Sequence, residues 1–194
     1  MAIQATRSDI IVSVAFTGYR PLKLHFGDDW THPDAIRLRA ALKAEYERLY
    51  QLGYRQFLTG GALGCDLMAA EVILELKEEH GGRKSGISHV LCLPCYHYTS
   101  KWPEDQRERL KKIAKHSMVD FISAREYYNG CMQVRNRHMV DNSAMLLAIY
   151  DGQKGGTRNT VEYAQKVGKD VIALQPKDLM RITLISSDKS GMLY

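Results

Sequence analysis

No segment of the chain approaches the ~18 consecutive apolar residues that a bilayer-spanning helix needs. Met1 to Asp9 shows neither a basic start followed by an apolar stretch nor a small-residue cleavage site. These absences predict a cytoplasmic protein with no membrane partner. Cysteine is scarce: Cys65, Cys92, Cys95 and Cys131 are four residues in 194, too few for a disulfide scaffold, so reduced thiols are expected. There is no internal repeat, low-complexity run or dividing linker, and no long basic tract. The net charge of +5, from 27 basic and 22 acidic residues, is spread along amphipathic helices. That distribution suits a phosphate ligand and makes nucleic acid a weaker partner. No His/Asp/Glu cluster at metal-ligand spacing stands beside the glycine-rich turns, so ligand binding is expected to need neither a metal nor another cofactor. Cys92 and Cys95 do form a Cys-x-x-Cys pair with His89 and His97 nearby. A structural zinc site normally adds a second ligand pair, and a redox pair usually opens a helix, whereas Pro94 sits inside this one. Cys92 then reads as an inward strand residue and Cys95 as a turn residue.

What the sequence does contain is the balance of a packed domain, 45% apolar and 25% charged residues. One domain is expected over residues 1–194, with its core at about 10–176 and the stretch 177–194 as a C-terminal tail in which Ile182 to Ile185 can add an edge strand. Six branched-rich segments read as strands: Ile10 to Phe16, Gln56 to Thr59, Ser88 to Leu93, Met118 to Ile122, Ala144 to Tyr150 and Asp170 to Leu174. Several are continuously apolar, as in Met145-Leu146-Leu147-Ala148-Ile149, which suits a parallel sheet covered on both faces. Helical periods lie between them, at Pro33 to Leu52, Cys65 to Glu79, Pro103 to Lys115, Met132 to Asn142 and about Asn159 to Val167. This alternation predicts an α/β fold, a Rossmann-like, doubly wound and mainly parallel sheet with helices on both faces. Right-handed crossovers put the strand-to-helix turns at the carboxyl edge, where such sheets bind ligands.

Four segments are candidates at that edge. The turn after the second strand, Thr59-Gly60-Gly61-Ala62-Leu63-Gly64-Cys65-Asp66, lets the backbone approach a phosphate at a helix N-terminus. Its spacing is not that of the dinucleotide fingerprint, and a tight turn with Asp66 capping the helix is the alternative. The turn after the fifth strand places Gly155, Gly156, Thr157 and Thr160 before Glu162, with the glycine backbone as an anion nest. Asn159 and Glu162 also resemble a capping box, which would give the glutamate a purely structural role. Thr17, Gly18 and Arg20 follow the first strand, where the arginine can neutralise a phosphate. Arg135 and Asn136 sit on the fourth helix, on a site-facing or a solvated face. The two glycine turns, expected at adjacent strand ends, would hold a phosphate jointly through Gly60, Gly61, Gly155 and Gly156. Tyr96, Tyr98, Trp102, Tyr127 and Tyr128 either stack on a base or cover the sheet edge.

Phe-Thr-Gly-x-Arg-Pro at Phe16 to Pro21, Gly-Gly-Ala-Leu-Gly-x-Asp at Gly60 to Asp66, Arg-Asn-x-x-Met-Val-Asp at Arg135 to Asp141 and Tyr-Asp-Gly-x-x-Gly-Gly-Thr at Tyr150 to Thr157 together resemble the YpsA-like family of the SLOG superfamily. The resemblance spans roughly Ile11 to Pro176. It implies a Rossmann-like fold and a nucleotide-derived ligand. The role expected first is a binding module whose ligand acts as a signal for a regulatory protein partner, and a homodimer is compatible with it. The LOG branch of that superfamily cleaves the N-glycosidic bond of nucleoside monophosphates with an arginine and a glutamate, which carry over to Arg135 and Glu162. Lys154 stands where that branch has proline, Arg158 where it has glycine and Asn159 where it has threonine, so its catalysis does not carry over intact. If there is catalysis, Arg135 and Glu162 are expected to share one pocket. The DprA branch binds single-stranded DNA and has a similar turn to Gly60 to Asp66; that role requires a basic groove leading away from the glycines.

Overall fold

The computed structural model describes residues 12–184, apart from the side chains of 121–124; Ile10, Ile11 and Ile185, assigned above to strands, lie outside them. Seven strands form one sheet: β1 Ser13–Thr17, β2 Gln56–Thr59, β3 Ser88–Cys95, β4 Met118–Ala124, β5 Met145–Ile149, β6 Asp170–Leu174 and β7 Arg181–Leu184. Their spatial order is β4-β3-β2-β1-β5-β6-β7, parallel throughout except for the antiparallel β6–β7 pair. Five helices alternate with the strands: α1 Pro33–Gln51, α2 Cys65–Glu79, α3 Glu104–Lys115, α4 Cys131–Asp141 and α5 Gly156–Lys166. This is the Rossmann-like α/β architecture. Short 3-10 turns occur at Pro21–Lys23 and Gly82–Ser85.

The layers follow from the two-residue alternation of the strands. Val14 and Phe16 point to one face, where Leu38, Leu42, Tyr46 and Leu49 of α1 and Met68, Val72 and Ile73 of α2 bury them. Ala15, Leu146 and Ala148 point to the other, under Met139 and Val140 of α4 and Val161 and Ala164 of α5. Leu91 and Leu93 continue the first layer beneath Leu110 and Ile113 of α3. With both faces covered, β1 and β5 are buried along their whole length.

Connections through α1, α2 and α3 step outward from β1 on one side, and the connection through α4 returns to the other side of β1. The chain therefore reverses direction between β1 and β5, and a crevice opens at their carboxyl ends. The glycine turns after β2 and β5 do not sit at adjacent strand ends, because β1 lies between them. Sheet pairing with β4 also carries β3 past Leu93, so Cys95 is a strand residue and not a turn residue. The edge strand β7 is tied back by Arg181, whose Nε lies 3.2 Å from the Glu45 carboxylate of α1.

His89 of β3 is buried between the hydroxyls of Thr59 (2.8 Å) and Ser117 (2.7 Å). Burial, with the charge of Lys77 adding to it, pushes its imidazole down to about 3. The unfolded chain, with an ordinary value of about 6.5, takes up this proton first. The contribution of neutral His89 is complete above that pH and declines towards pH 3, by about 1.4 kcal/mol per pH unit. Urea midpoints at pH 7 and pH 5 are expected to differ less in His89→Gln than in the parent.

Candidate phosphate-binding cleft

The helical period of α4 places Cys131, Arg135 and Met139 on one buried face. Arg135 is therefore not on a solvated face: it is 3% exposed. Its Nη1 donates to the carbonyls of Gly60 and, at 3.2 Å, Cys92, while Nη2 points to the Met132 sulfur at 3.6 Å. Asp66 Oδ2 lies 4.0 Å away, on a side chain from a residue that is itself 6% exposed. Burial pushes the Asp66 carboxyl up, opposed by the Arg135 charge and by the Ala62 N–H that it accepts at 3.3 Å. Asp66 is not the cap of α2, since Gly64 holds that place and the carboxylate folds back on the turn. Arg135 Nε is buried without a hydrogen-bond partner among the described residues.

The glycines of the first turn serve this arrangement. A methyl group at Gly60 would run into the Arg135 guanidinium. Gly61, at φ +61, gives its carbonyl to the Tyr98 hydroxyl at 2.7 Å, and a Cβ there would stand 2.9 Å from Leu91. Gly64, at φ +94, lets the loop after β1 cross the start of α2, where the Cys65 N–H donates to the Tyr19 carbonyl at 3.1 Å. The turn is thus spent largely on packing.

The loops after β1 and β5 are stitched together. The Tyr19 hydroxyl donates to the Asp151 carboxylate, Lys23 Nζ to the Lys154 carbonyl, and the Thr157 hydroxyl to the Gly18 carbonyl at 3.0 Å. Burial, reinforced by the Asp151 hydrogen bond, pushes Tyr19 up to about 12, so it stays a donor. Between these loops, α2 and α4 lies a cleft of about 310 Å³. Thr17, Gly18, Arg20, Ala62 and Asp66 line one side, and Arg135, Asn136, Gly156 and Thr157 the other. Leu22, Lys23, Met132 and Gln133, which were not singled out in the sequence, complete it. Lys23 stands three residues after Arg20, and in a 3-10 turn residues at that spacing share a side. Leu22 is 100% exposed at the rim.

Helix α5 begins at Gly156, three residues before the expected start, so Asn159 is inside the helix and no capping box forms with Glu162. Its N-cap, Gly155 at φ 141, makes no side-chain cap, and its first turn holds no acidic residue. Unpaired N–H groups and the positive end of the helix dipole therefore face the cleft at Gly156 and Thr157. Gly60, Gly61, Gly64 and Gly155 do not line it; of the four glycines expected to hold a phosphate together, only Gly156 does. Thr160 does not reach it either, because its hydroxyl donates to the Gly156 carbonyl at 2.9 Å and accepts from Asn136 at 2.8 Å. Glu162 pairs with Arg158 at 2.6 Å with its side chain 54% exposed, and lines a depression of about 180 Å³ that adjoins the cleft, the two sharing Gln133, Asn136 and Gly156. Arg135 lines the cleft and Glu162 the adjoining depression, and no contact joins their side chains among the described residues.

All four cysteines are free and buried. Cys92 belongs to the layer under α4, and Cys95 to the layer under α3. The two thiols face opposite sides of the sheet, which a common metal ion cannot bridge, and burial pushes the Cys92 thiol up to about 12. Of the loop aromatics, Tyr98 and Trp102 pack against each other at 5.3 Å, while Tyr96, Tyr127 and Tyr128 are exposed. No helix among the described residues is long and apolar enough to cross a membrane.

The family model described as the YspA SLOG family matches residues 14–188. The SPbeta prophage-derived protein YoqJ of Bacillus subtilis (strain 168) is 32% identical over 161 residues, covering 75% of this chain and 91% of that protein. A UPF0398 protein of Bacillus thuringiensis (strain Al Hakam) is 31% identical over 160 residues, 80% of this chain and 84% of that one. Among solved structures, DNA processing protein A from Helicobacter pylori, described there for its single-stranded DNA binding mode, superposes with a TM-score of 0.57 at 20% identity, over 97% of this chain and 75% of that one. DNA processing protein A from Streptococcus pneumoniae gives a TM-score of 0.55 at 14% identity, and the match covers 83% of this chain and 49% of that one. These two share the fold.

Replacing Arg135 by Met strands a buried carboxylate, a loss of about 3–5 kcal/mol by analogy with other broken buried pairs. The double variant Arg135→Met/Asp66→Leu should regain most of it. Urea unfolding of both checks this; a double variant as unstable as the single one would show that Asp66 is not the reason.

Proposed function

The chain belongs to the YspA SLOG family, and from that premise we propose that the cleft binds the phosphate of a nucleotide-derived ligand, the protein acting as a sensing or regulatory module. One observation carries the reading: the uncapped N-terminus of α5 and the side chains of Arg20, Lys23 and Arg135 converge on a single cleft. Arg135 offsets Asp66, the one carboxylate lining the cleft among the described residues, so Arg20, Lys23 and the helix end leave a net preference for negative charge. A volume of about 310 Å³ suits a small molecule. Leu22 and Met132 offer apolar surface to a base, and Gln133 and Asn136 offer amides to a ribose.

The hydrolase alternative draws less support. Glu162 is paired with Arg158 and lines the adjoining depression, while the carboxylate beside Arg135 is that of Asp66, which is buried with it. A single-stranded DNA ligand remains the rival suggested by DNA processing protein A, and salt dependence separates the two because each phosphate contact releases counterions. Calorimetry with AMP, NAD, ADP-ribose and an oligothymidine tests the proposal. At least one of the small nucleotides should bind, and Arg20→Ala should weaken it about ten- to hundredfold. Glu162→Gln should leave affinity unchanged, with no free base released. Binding of the oligonucleotide alone, steeply weakened by salt, would overturn the reading.

A further inference from the structure

The loop between Lys23 and α1 holds a cluster that the nucleotide cleft does not use. His25 Nε2 lies 2.8 Å from Asp34 Oδ2, and His32 Nδ1 lies 3.9 Å from the same oxygen. One ligand atom from each of the three residues falls within 4.8 Å of the others, and no other group of His, Cys, Asp and Glu side chains among the described residues meets that condition. A tetrahedral ion with bonds of about 2.0–2.1 Å holds its ligand atoms about 3.3 Å apart. Shifts of about an ångström would bring the three onto it.

Packing has already set the two imidazoles. Phe26, only 7% exposed, stacks on His32 with ring centroids 5.9 Å apart and meets His25 edge-on at 5.2 Å. His32 Nδ1 is unprotonated, since it accepts the Asp34 N–H at 3.1 Å as the cap of α1; an ion at this nitrogen takes over that lone pair and displaces the cap bond. The local charge also favours a cation. Asp28, Asp29 and Asp34 lie along this segment, with Arg37 bound to the other oxygen of Asp34 at 3.1 Å and Arg109, over the Trp30 ring, paired with Glu71. Those carboxylates exceed the roughly half charge that the start of α1 contributes.

We propose that His25, His32 and Asp34 form a site for a divalent transition ion of the zinc type, with water completing the coordination. Two imidazoles and one carboxylate suit zinc, cobalt or nickel better than magnesium or calcium, which prefer all-oxygen sets. The bound ion clips the loop to the start of α1. That loop begins beside Arg20 and Lys23, so the ion steadies the cationic rim of the cleft without entering it.

The test uses the full chain stripped with a chelator and titrated with zinc by calorimetry, and with cobalt by visible absorption. One equivalent of zinc should bind, with a cobalt spectrum of low coordination number and a rise in Tm on zinc addition. His25→Ala and Asp34→Asn, checked for folding by their metal-free Tm, should each lower affinity at least about tenfold. His97→Ala, at an exposed histidine on another loop, should leave it unchanged. The proposal is overturned if the parent takes up no zinc saturably, or if uptake in folded His25→Ala is undiminished. Nucleotide affinity is measured separately on the chelated protein, so failure of one site does not count against the other.

Discussion

A guanidinium with 3% exposure has to find its partners inside the protein, and Arg135 finds them on three segments at once. It donates to the carbonyl of Gly60, just after β2, and to that of Cys92 in β3, and the Asp66 carboxylate in the first turn of α2 lies 4.0 Å away as an ionic partner. Position 60 must then be glycine, because a side chain would occupy the space of the guanidinium. The helix that carries Arg135 is held against the carboxyl edge, where Met132, Gln133 and Asn136 form one wall of the cleft. In low dielectric this arrangement holds only while both charges are present.

The two glycine turns look alike in sequence but have different surroundings. In the turn before α2 the Ala62 N–H goes to Asp66, and the first N–H of the helix, that of Cys65, goes to the Tyr19 carbonyl. Neither α2 nor α5 has a side-chain cap, but of the two only α5 starts with a glycine that lines the cleft, Gly156, followed by Thr157. The bonds from Tyr19, Lys23 and Thr157 pin the loop after β1 to the start of α5, so this open helix end, and not the first turn's, forms the electropositive wall. Leaving donors unpaired costs stability unless a ligand accepts from them, which is the physical ground for expecting an anion there.

Strand and helix alternation, the parallel sheet and the carboxyl-edge location of the site were legible in the sequence. They depend on neighbours two to four residues apart and on apolar runs that need cover on both faces. Thr17, Gly18, Arg20, Ala62, Asp66, Arg135, Asn136, Gly156 and Thr157, singled out in the sequence as candidates, line one cleft. Only the tertiary structure decided that β1 separates the two glycine turns, that Arg135 points inward, that Glu162 turns out to Arg158, and that Cys92 and Cys95 face opposite sides of the sheet. The partners that settle most of these points are far apart in the chain: Arg135 and Gly60 are separated by 75 residues. Local periodicity orients a side chain relative to its own helix or strand. Which buried carbonyl or carboxylate it then meets is set by sheet order and crossover, and a linear pattern of residues carries no record of that.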